Sequence, residues 1–353
     1  MSGTAWEGSG RRRAEPPWKP LDDATRRARD LPETFQWVPG DDVVQRPVFD
    51  PSLKHRRSAY RATDPRFGDP ARGAAWRAAR RRALHLVLDA IAGSEWADAL
   101  VLRGSVLMSV WFPDTAREPG DLDFVVVPHT WGIDDGRTDR MLRGVAAAAQ
   151  ESADAHGHGI AISARGAVVE DIWTYERVPG RRMVLPWGVP GLPGGHVQLD
   201  FVFNERLPEE PAPAGLPGGT LVRAVSPELS LAWKLMWLIN DMHAQGKDLY
   251  DAVLLAERHP LRHELLHEVI RLSGEWPYPY REKVLLEDVR EALEFVEWDH
   301  FVTEYPRFAN AGQEYADRLV RAVTPTFGRQ TRLRRRRFLL PAQRLRADLV
   351  GTR

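Results

Sequence analysis

From about Ala74 the apolar positions recur every three to four residues. Trp76, Ala79, Ala83, Val87 and Ile91 form a stripe, with Leu84 and Leu88 beside it and Arg77, Arg80, Arg81 and Arg82 mostly off it. This spacing predicts a helix with one buried face. The period then changes. Leu100-Val101-Leu102 is a short apolar run that breaks at Arg103-Gly104-Ser105. A second apolar segment follows, then a polar loop with Pro113 and Pro119, then Asp121-Leu122-Asp123 entering Phe124–Val127. This order predicts strand, glycine turn, short helix, loop and strand. Residues 137–155 read as an alanine-rich helix. Strands are expected over 160–173 and 182–187. A clear strand spans His196–Phe203, with Val197, Leu199, Phe201 and Phe203 on one face and Asp200 on the other.

Residues 206–219 are rich in Pro and Gly and are expected to be a linker. Ser226-Pro227-Glu228 beyond it has the chemistry of a helix start: a capping hydroxyl, a proline in the first turn and an acid at the positive end of the dipole. That helix is expected through Leu229–Met242, and another begins at Lys247 after the break at Gly246. Further helices are expected at about 261–273, 282–297 and 308–323. Residues 1–74 hold no sustained period and are expected to form an extended, partly ordered arm. Residues 328–353 form a basic tail. The resulting division is an arm (1–74), a core (75–205), a linker (206–219), a helical domain (220–327) and the tail.

Composition narrows the function. The 353 residues include no cysteine, which excludes disulfides, thiolate metal sites and a cysteine nucleophile. No apolar run approaches the roughly 18 residues of a membrane span. The N-terminal MSGTAWEGSGRRRAEPP lacks the apolar core of a secretory signal, so the expected location is cytoplasmic. Formal charge is balanced, yet residues 1–82 carry 18 Lys and Arg against 11 acids, and residues 328–353 carry 9 Arg against one. An acidic middle between basic ends suits a metal–carboxylate site near a polyanion, and equally suits basic arms folding onto an acidic body. Only five lysines occur (Lys19, Lys54, Lys234, Lys247, Lys283), against 44 arginines.

Asp121 and Asp123 lie two apart on a strand, so their carboxylates share a face and repel unless a cation neutralises them. Asp200 sits midway along a separate strand that can pair alongside. Three carboxylates suit Mg²⁺ (or Mn²⁺), which takes a few carboxylates together with substrate phosphates. Two such ions can clamp an in-line phosphoryl displacement. Gly104-Ser105 ahead of a helix offers backbone amides and a hydroxyl to phosphate oxygens.

This order of a Gly-Ser turn, Asp-x-Asp and a third Asp on a later strand resembles the polymerase-beta-like nucleotidyltransferase superfamily. Ser226-Pro-Glu-Leu-Ser-Leu-Ala-Trp-Lys234 followed by Lys247-Asp248-Leu-Tyr-Asp251 resembles the helical motif of the AbiEii/AbiGii toxin nucleotidyltransferases. The resemblance covers about residues 75–260. It implies an α+β fold, a nucleotidyltransferase-like mixed sheet flanked by helices and followed by a helical domain. It implies transfer of a nucleoside monophosphate from an NTP to an acceptor hydroxyl. Asp121, Asp123, Asp200, Lys234 and Asp248 would be catalytic, the three aspartates holding the metal and Asp200 helping to deprotonate the acceptor. Gly104, Ser105, Lys234 and Arg103 would bind the nucleotide. Some relatives extend the acceptor end of tRNA and are held off by an antitoxin protein, which makes RNA and an antitoxin the implied partners. A small-molecule acceptor of the aminoglycoside type stays open. The sequence departs from the family in its long loop between Ser105 and Asp121. It also has Arg103 where relatives carry a small residue or Lys, placed either for phosphate or for an acid.

Two other readings stay open. His263-Glu264-Leu265-Leu266-His267 matches the zinc-hydrolase signature HExxH. A third ligand is not evident: Pro260 separates His259, and Ile270 and Ser273 stand where the extended motif needs Gly and His. Leu261, Leu265, Leu266, Val269 and Leu272 make this stretch an ordinary amphipathic helix with histidines at its polar edge. The other reading is a catalytically inactive scaffold that binds nucleic acid or a partner protein. His156-Gly157-His158 reads as a loop.

Overall fold

The computed structural model describes residues 16–174, 178–274 and 283–328. In chain order the first elements are α1 (Asp23–Ala28), β1 (Val43–Val44), β2 (Pro47–Phe49), β3 (Tyr60–Ala62) and β4 (Arg66–Phe67). The sheet region follows with α2 (Pro70–Ala92), β5 (Leu100–Arg103), α3 (Ser105–Trp111), β6 (Asp121–Val126) and α4 (Gly136–His156). It continues with β7 (Ala161–Ile162), β8 (Val168–Thr174), β9 (Val178–Gly188), β10 (Gly195–Val202), β11 (Ala212–Gly215) and β12 (Leu221–Ala224). The helices α5 (Pro227–Asn240), α6 (Gly246–Arg258), α7 (His263–Ser273), α8 (Leu286–Leu293), α9 (Trp298–Glu304) and α10 (Gly312–Phe327) complete it.

The main sheet has the order β11-β12-β5-β6-β10-β9-β7, and β8 also pairs with β9. Pairing is parallel for β12–β5 and β6–β10 and antiparallel elsewhere, so the sheet is mixed. Together with the flanking helices this is the expected α+β architecture. Helices α2 and α4 pack on each other, and α2 also contacts β10. Local chemistry fixes their starts. Asp69 caps α2 through the Ala71 N–H with Pro70 in the first turn, Asp135 caps α4, and Ser226 Oγ accepts from the Leu229 N–H at 3.0 Å to cap α5.

Several boundaries differ from the expectation. The strand expected over 160–173 is two pieces, because residues 163–167 turn with the Ser163 hydroxyl accepting from the Gly166 N–H. Strand β9 is longer than 182–187 because Arg181 and Arg182 are held within it by carboxylates and do not mark its end. Residues 206–219 do not form a free tether: Ala212–Gly215 pairs antiparallel with Leu221–Ala224, which joins β5 at Ala224↔Leu102. The short α9 was not foreseen; it buries only Phe301 and carries no readable period.

The period-free N-terminal stretch is folded onto the rest from residue 16 onward. Leu53 and Ala59 pack with Ile172 of β8. Arg56 bonds Glu170 at 3.0 Å, and Arg61 grips Glu304 of α9 with two bonds of 2.7 and 2.9 Å. Its partners lie far away in sequence, which is why no local pattern announces it. One apolar cluster runs without a break from Trp76 through the sheet to Leu319, Val323 and Phe327 of α10.

Candidate active site

Register brings the acids together. Strand β6 runs parallel to β10 with Asp123 opposite Asp200 and Asp121 opposite Gln198, and the β5–β6 pair puts Arg103 opposite Asp123. One carboxylate oxygen from each of Asp121, Asp123 and Asp200 lies within 4.8 Å of the others. Burial raises the Asp123 carboxyl, and the neighbouring Asp121 and Asp200 charges push it further, to about 7, against the opposing pull of Arg103 and Lys247. Burial also raises Asp200 more than Arg182 lowers it. Asp121 goes the other way: Lys247 and Arg117 outweigh its burial and hold it below the usual carboxylate range. An all-oxygen set with this excess of negative charge fits a hard divalent cation.

Gly104 has φ +80°, and any Cβ there would collide with the Asp123 carboxylate. Glycine is thus required by both conformation and contact. Ser105 opens α3 directly after it. Its buried hydroxyl donates to Asp121 Oδ1 at 3.1 Å, so it orients a member of the triad rather than pointing freely at the pocket. Arg103, expected near phosphate, is drawn to an acid: Nη1 donates to Glu205 at 2.7 Å in a buried pair, and the guanidinium lies over the rings of Trp233 and Trp237.

Helices α5 and α6 add a second charge cluster. Lys234 Nζ lies 2.6 Å from Asp248 and 3.3 Å from Asp251, against the Trp237 ring. Burial alone would lower this ammonium, but the two acids outweigh it and raise its pKa. Arg117, from the long loop before Asp121, donates to both oxygens of Asp251 at 3.1 and 3.0 Å. Tyr250 Oη donates to the Thr115 carbonyl at 2.5 Å. The loop is therefore clamped to α6. Lys247 differs from Lys234: among the described residues no carboxylate lies within ion-pair distance of it, though its charge acts on Asp121 and Asp123.

A third cluster reaches the triad from the N-terminal stretch. Arg182 donates from Nε and Nη2 to the two oxygens of Asp200, each at 2.8 Å, and from Nη1 to Asp50 at 2.6 Å. Arg182 and Arg61 outweigh burial at Asp50 and keep it ionised.

All the sequence-predicted site residues line one pocket: Asp121, Asp123, Asp200, Lys234, Asp248, Gly104, Ser105 and Arg103. Sequence reasoning did not single out Asp50, Arg117 or Arg182; it quoted Lys247 and Asp251 within the helical motif but named neither as a site residue. Asp251 and Lys247 had a signal, the Lys-Asp-x-x-Asp spacing. Asp50 and Arg117 had none, since their partners are more than 100 residues away. The HExxH stretch forms α7, and among the described residues it gathers no group of three metal ligands. His263 Nε2 lies 2.9 Å from the Val284 carbonyl and its ring packs on Phe327. Among the described residues only the aspartate triad groups three or more ligands.

Comparison with protein families matches residues 86–327 to the nucleotidyl transferase AbiEii toxin family of type IV toxin–antitoxin systems. The chain belongs to this family. No curated protein matches it. The AbiEii match begins inside α2 and ends at the last residue of α10, so it contains the triad, Lys234, Lys247 and Asp248. Asp50, Arg61 and the rest of the N-terminal segment fall outside the stretch matched to AbiEii.

Proposed function

We propose that this AbiEii-family chain transfers a nucleoside monophosphate from an NTP to a hydroxyl of RNA, releasing pyrophosphate, as the toxin opposed by an antitoxin protein. The reading rests on one observation: three carboxylates within 4.8 Å of one another beside a turn that only glycine allows. Asp121, Asp123 and Asp200 would hold Mg²⁺ (or Mn²⁺). When bound, the ion supplies positive charge that offsets the charge on the phosphates. Lys247, lacking an acid of its own among the described residues, is placed to meet triphosphate oxygens. Lys234, fixed by Asp248 and Asp251, holds α5 to α6 and keeps positive charge at the pocket wall. Gly104 lets the backbone approach a phosphate closely. Asp200, gripped by Arg182, borders the place of the attacking hydroxyl. In this reading residues 75–205 form the catalytic core and 220–327 the helical domain. The excess of arginine in residues 1–82 and 328–353 supports a polyanionic acceptor, and the proposed NTP and RNA substrates fit a cytoplasmic location.

Incubation with each labelled NTP, Mg²⁺ and total RNA tests the proposal. Label is expected to enter RNA with the wild type and with none of Asp121→Asn, Asp121→Ala or the EDTA-treated protein. Label that enters polypeptide or a small molecule instead would move the acceptor. Unchanged cellular effect in Asp121→Asn would favour the inactive, partner-binding scaffold.

A further inference from the structure

Arg182 of β9 stands between two acids. Register sets Asp200 of β10 directly opposite it on one side and Glu170 of β8 opposite it on the other, so all three side chains share the face of the triad. In the sheet alone its guanidinium is free to turn to either carboxylate. The N-terminal segment makes the choice. Arg56 takes one oxygen of Glu170 at 3.0 Å, and the N–H and hydroxyl of Thr34 donate to the other. Asp50 receives Nη1 of Arg182 at 2.6 Å and Ser52 Oγ receives Nη2 at 3.0 Å, while Nε and Nη2 close on the two oxygens of Asp200 at 2.8 Å each. Asp50 is itself fixed. Its Oδ1 accepts from the Ser52 N–H at 3.1 Å and hydroxyl at 2.7 Å, and its own N–H donates to the Ala59 carbonyl at 2.9 Å. Asp50, Arg182 and Asp200 are all buried. We propose that Asp50, acting through Arg182, is a positioning residue for the third carboxylate of the triad, so that the segment preceding the AbiEii match completes the metal site. The inference rests on the reading above that Asp121, Asp123 and Asp200 hold a divalent ion.

Three carboxylates within 4.8 Å of one another repel, and an aspartate held by nothing rotates away from its like-charged neighbours. A two-pronged guanidinium fixes the plane of the Asp200 carboxylate as well as its place. It also leaves ligating capacity, because an ionised carboxylate has about four acceptor sites and the fork occupies one on each oxygen. Asp200 is thus oriented before an ion arrives, which is what the hydrogen-bonded partners of metal ligands supply. A lysine would bring the charge without the fork: a single ammonium cannot span both oxygens of Asp200 and still meet Asp50. Attachment of the N-terminal segment does not depend on this contact. Arg61 on Glu304, and Leu53 and Ala59 on Ile172, hold it without engaging the triad.

The test is Mn²⁺ binding by the full chain, read from the paramagnetic resonance signal of the free ion, with melting curves to show that each variant is folded. Asp121→Asn should lose most of the uptake, which assigns the ion to the triad. Arg182→Lys keeps the charge and loses the fork. It is expected to bind Mn²⁺ roughly 10–100-fold more weakly, and Asp50→Ala about tenfold more weakly, as for lost outer partners of a metal ligand. Arg72→Ala loosens the same segment by breaking its 2.9 Å pair with Asp42, away from Asp50, and should bind Mn²⁺ like wild type. Unchanged affinity in Arg182→Lys or in Asp50→Ala overturns the proposal. So does a loss in Arg72→Ala as large as that in Asp50→Ala, because the segment would then act by packing alone. Wild-type protein that takes up no Mn²⁺, or uptake that persists in Asp121→Asn, overturns it as well. Binding needs no turnover, so a chain that shows the expected affinities and transfers no nucleotide refutes the proposed function and supports the positioning role.

Discussion

Asp123 sits between two like charges, with Arg103 opposite it already engaged by Glu205. Its carboxyl is raised to about 7 from the ordinary carboxylate range near 4 by burial and by Asp121 and Asp200. The unfolded chain therefore releases this proton before the folded one does. Between those values the unfolded state binds fewer protons, so this residue's contribution to stability falls as pH rises. Metal-free protein is expected to lose thermal stability from this source between about pH 4 and 7, and Mg²⁺ should restore it at pH 8. Asp123→Asn should stabilise metal-free protein at pH 8 by about 1–2 kcal/mol, remove the response to Mg²⁺ and lower transfer by at least about 100-fold. Melting curves with EDTA or Mg²⁺ check the sign. A less stable Asn variant would contradict this account of the triad. At this scale the sequence was partly legible. The shared face of Asp121 and Asp123 follows from strand alternation alone, whereas the partner of Arg103 lies 102 residues on and no spacing rule reaches it.

Helices α5 and α6 illustrate what an element contributes beyond its own residues. The start of α5 was readable because capping is local, with Ser226 and Pro227 acting within one turn, whereas α6 takes in Gly246, the expected break, as its first residue and has no side-chain cap. The charges the two helices present were not readable, because Lys234, Asp248, Asp251 and Arg117 come from two helices and a loop. The two lysines of the motif should then behave differently. Lys234→Ala leaves Asp248 and Asp251 buried beside one remaining cation, and is expected to cost about 3–5 kcal/mol. Lys247→Ala removes no ion pair among the described residues and should leave stability within about 0.5 kcal/mol of wild type while lowering transfer at least about tenfold. Urea titration alongside kinetics separates them; equal destabilisation by both would show that Lys247 is structural. The loop expected to be a departure from the family is tied down by Arg117 and Tyr250, so this segment is a strut between sheet and helices.

A chain of 353 residues ordinarily divides into domains that melt separately. Here the apolar cluster is continuous from α2 to α10, β12 sews the segment after the proline-rich stretch back into the sheet, and the N-terminal segment spans β8 and α9. One cooperative unfolding transition is therefore expected, with calorimetric and van't Hoff enthalpies in agreement. Two resolved transitions would place a true boundary between sheet and helices. The sequence by itself determined what depends on near neighbours: the helix periods and caps, the alternation on β6 and β10, the glycine turn and the Asp-x-Asp pair. It also carried the family's order of motifs. Only the tertiary structure decided which strands pair, that Arg103 faces Glu205, and that Asp50 of the N-terminal segment reaches Asp200 through Arg182. Those facts depend on contacts between residues far apart in the chain. Their energies come from burial and charge pairing after folding, and no local pattern has to encode them.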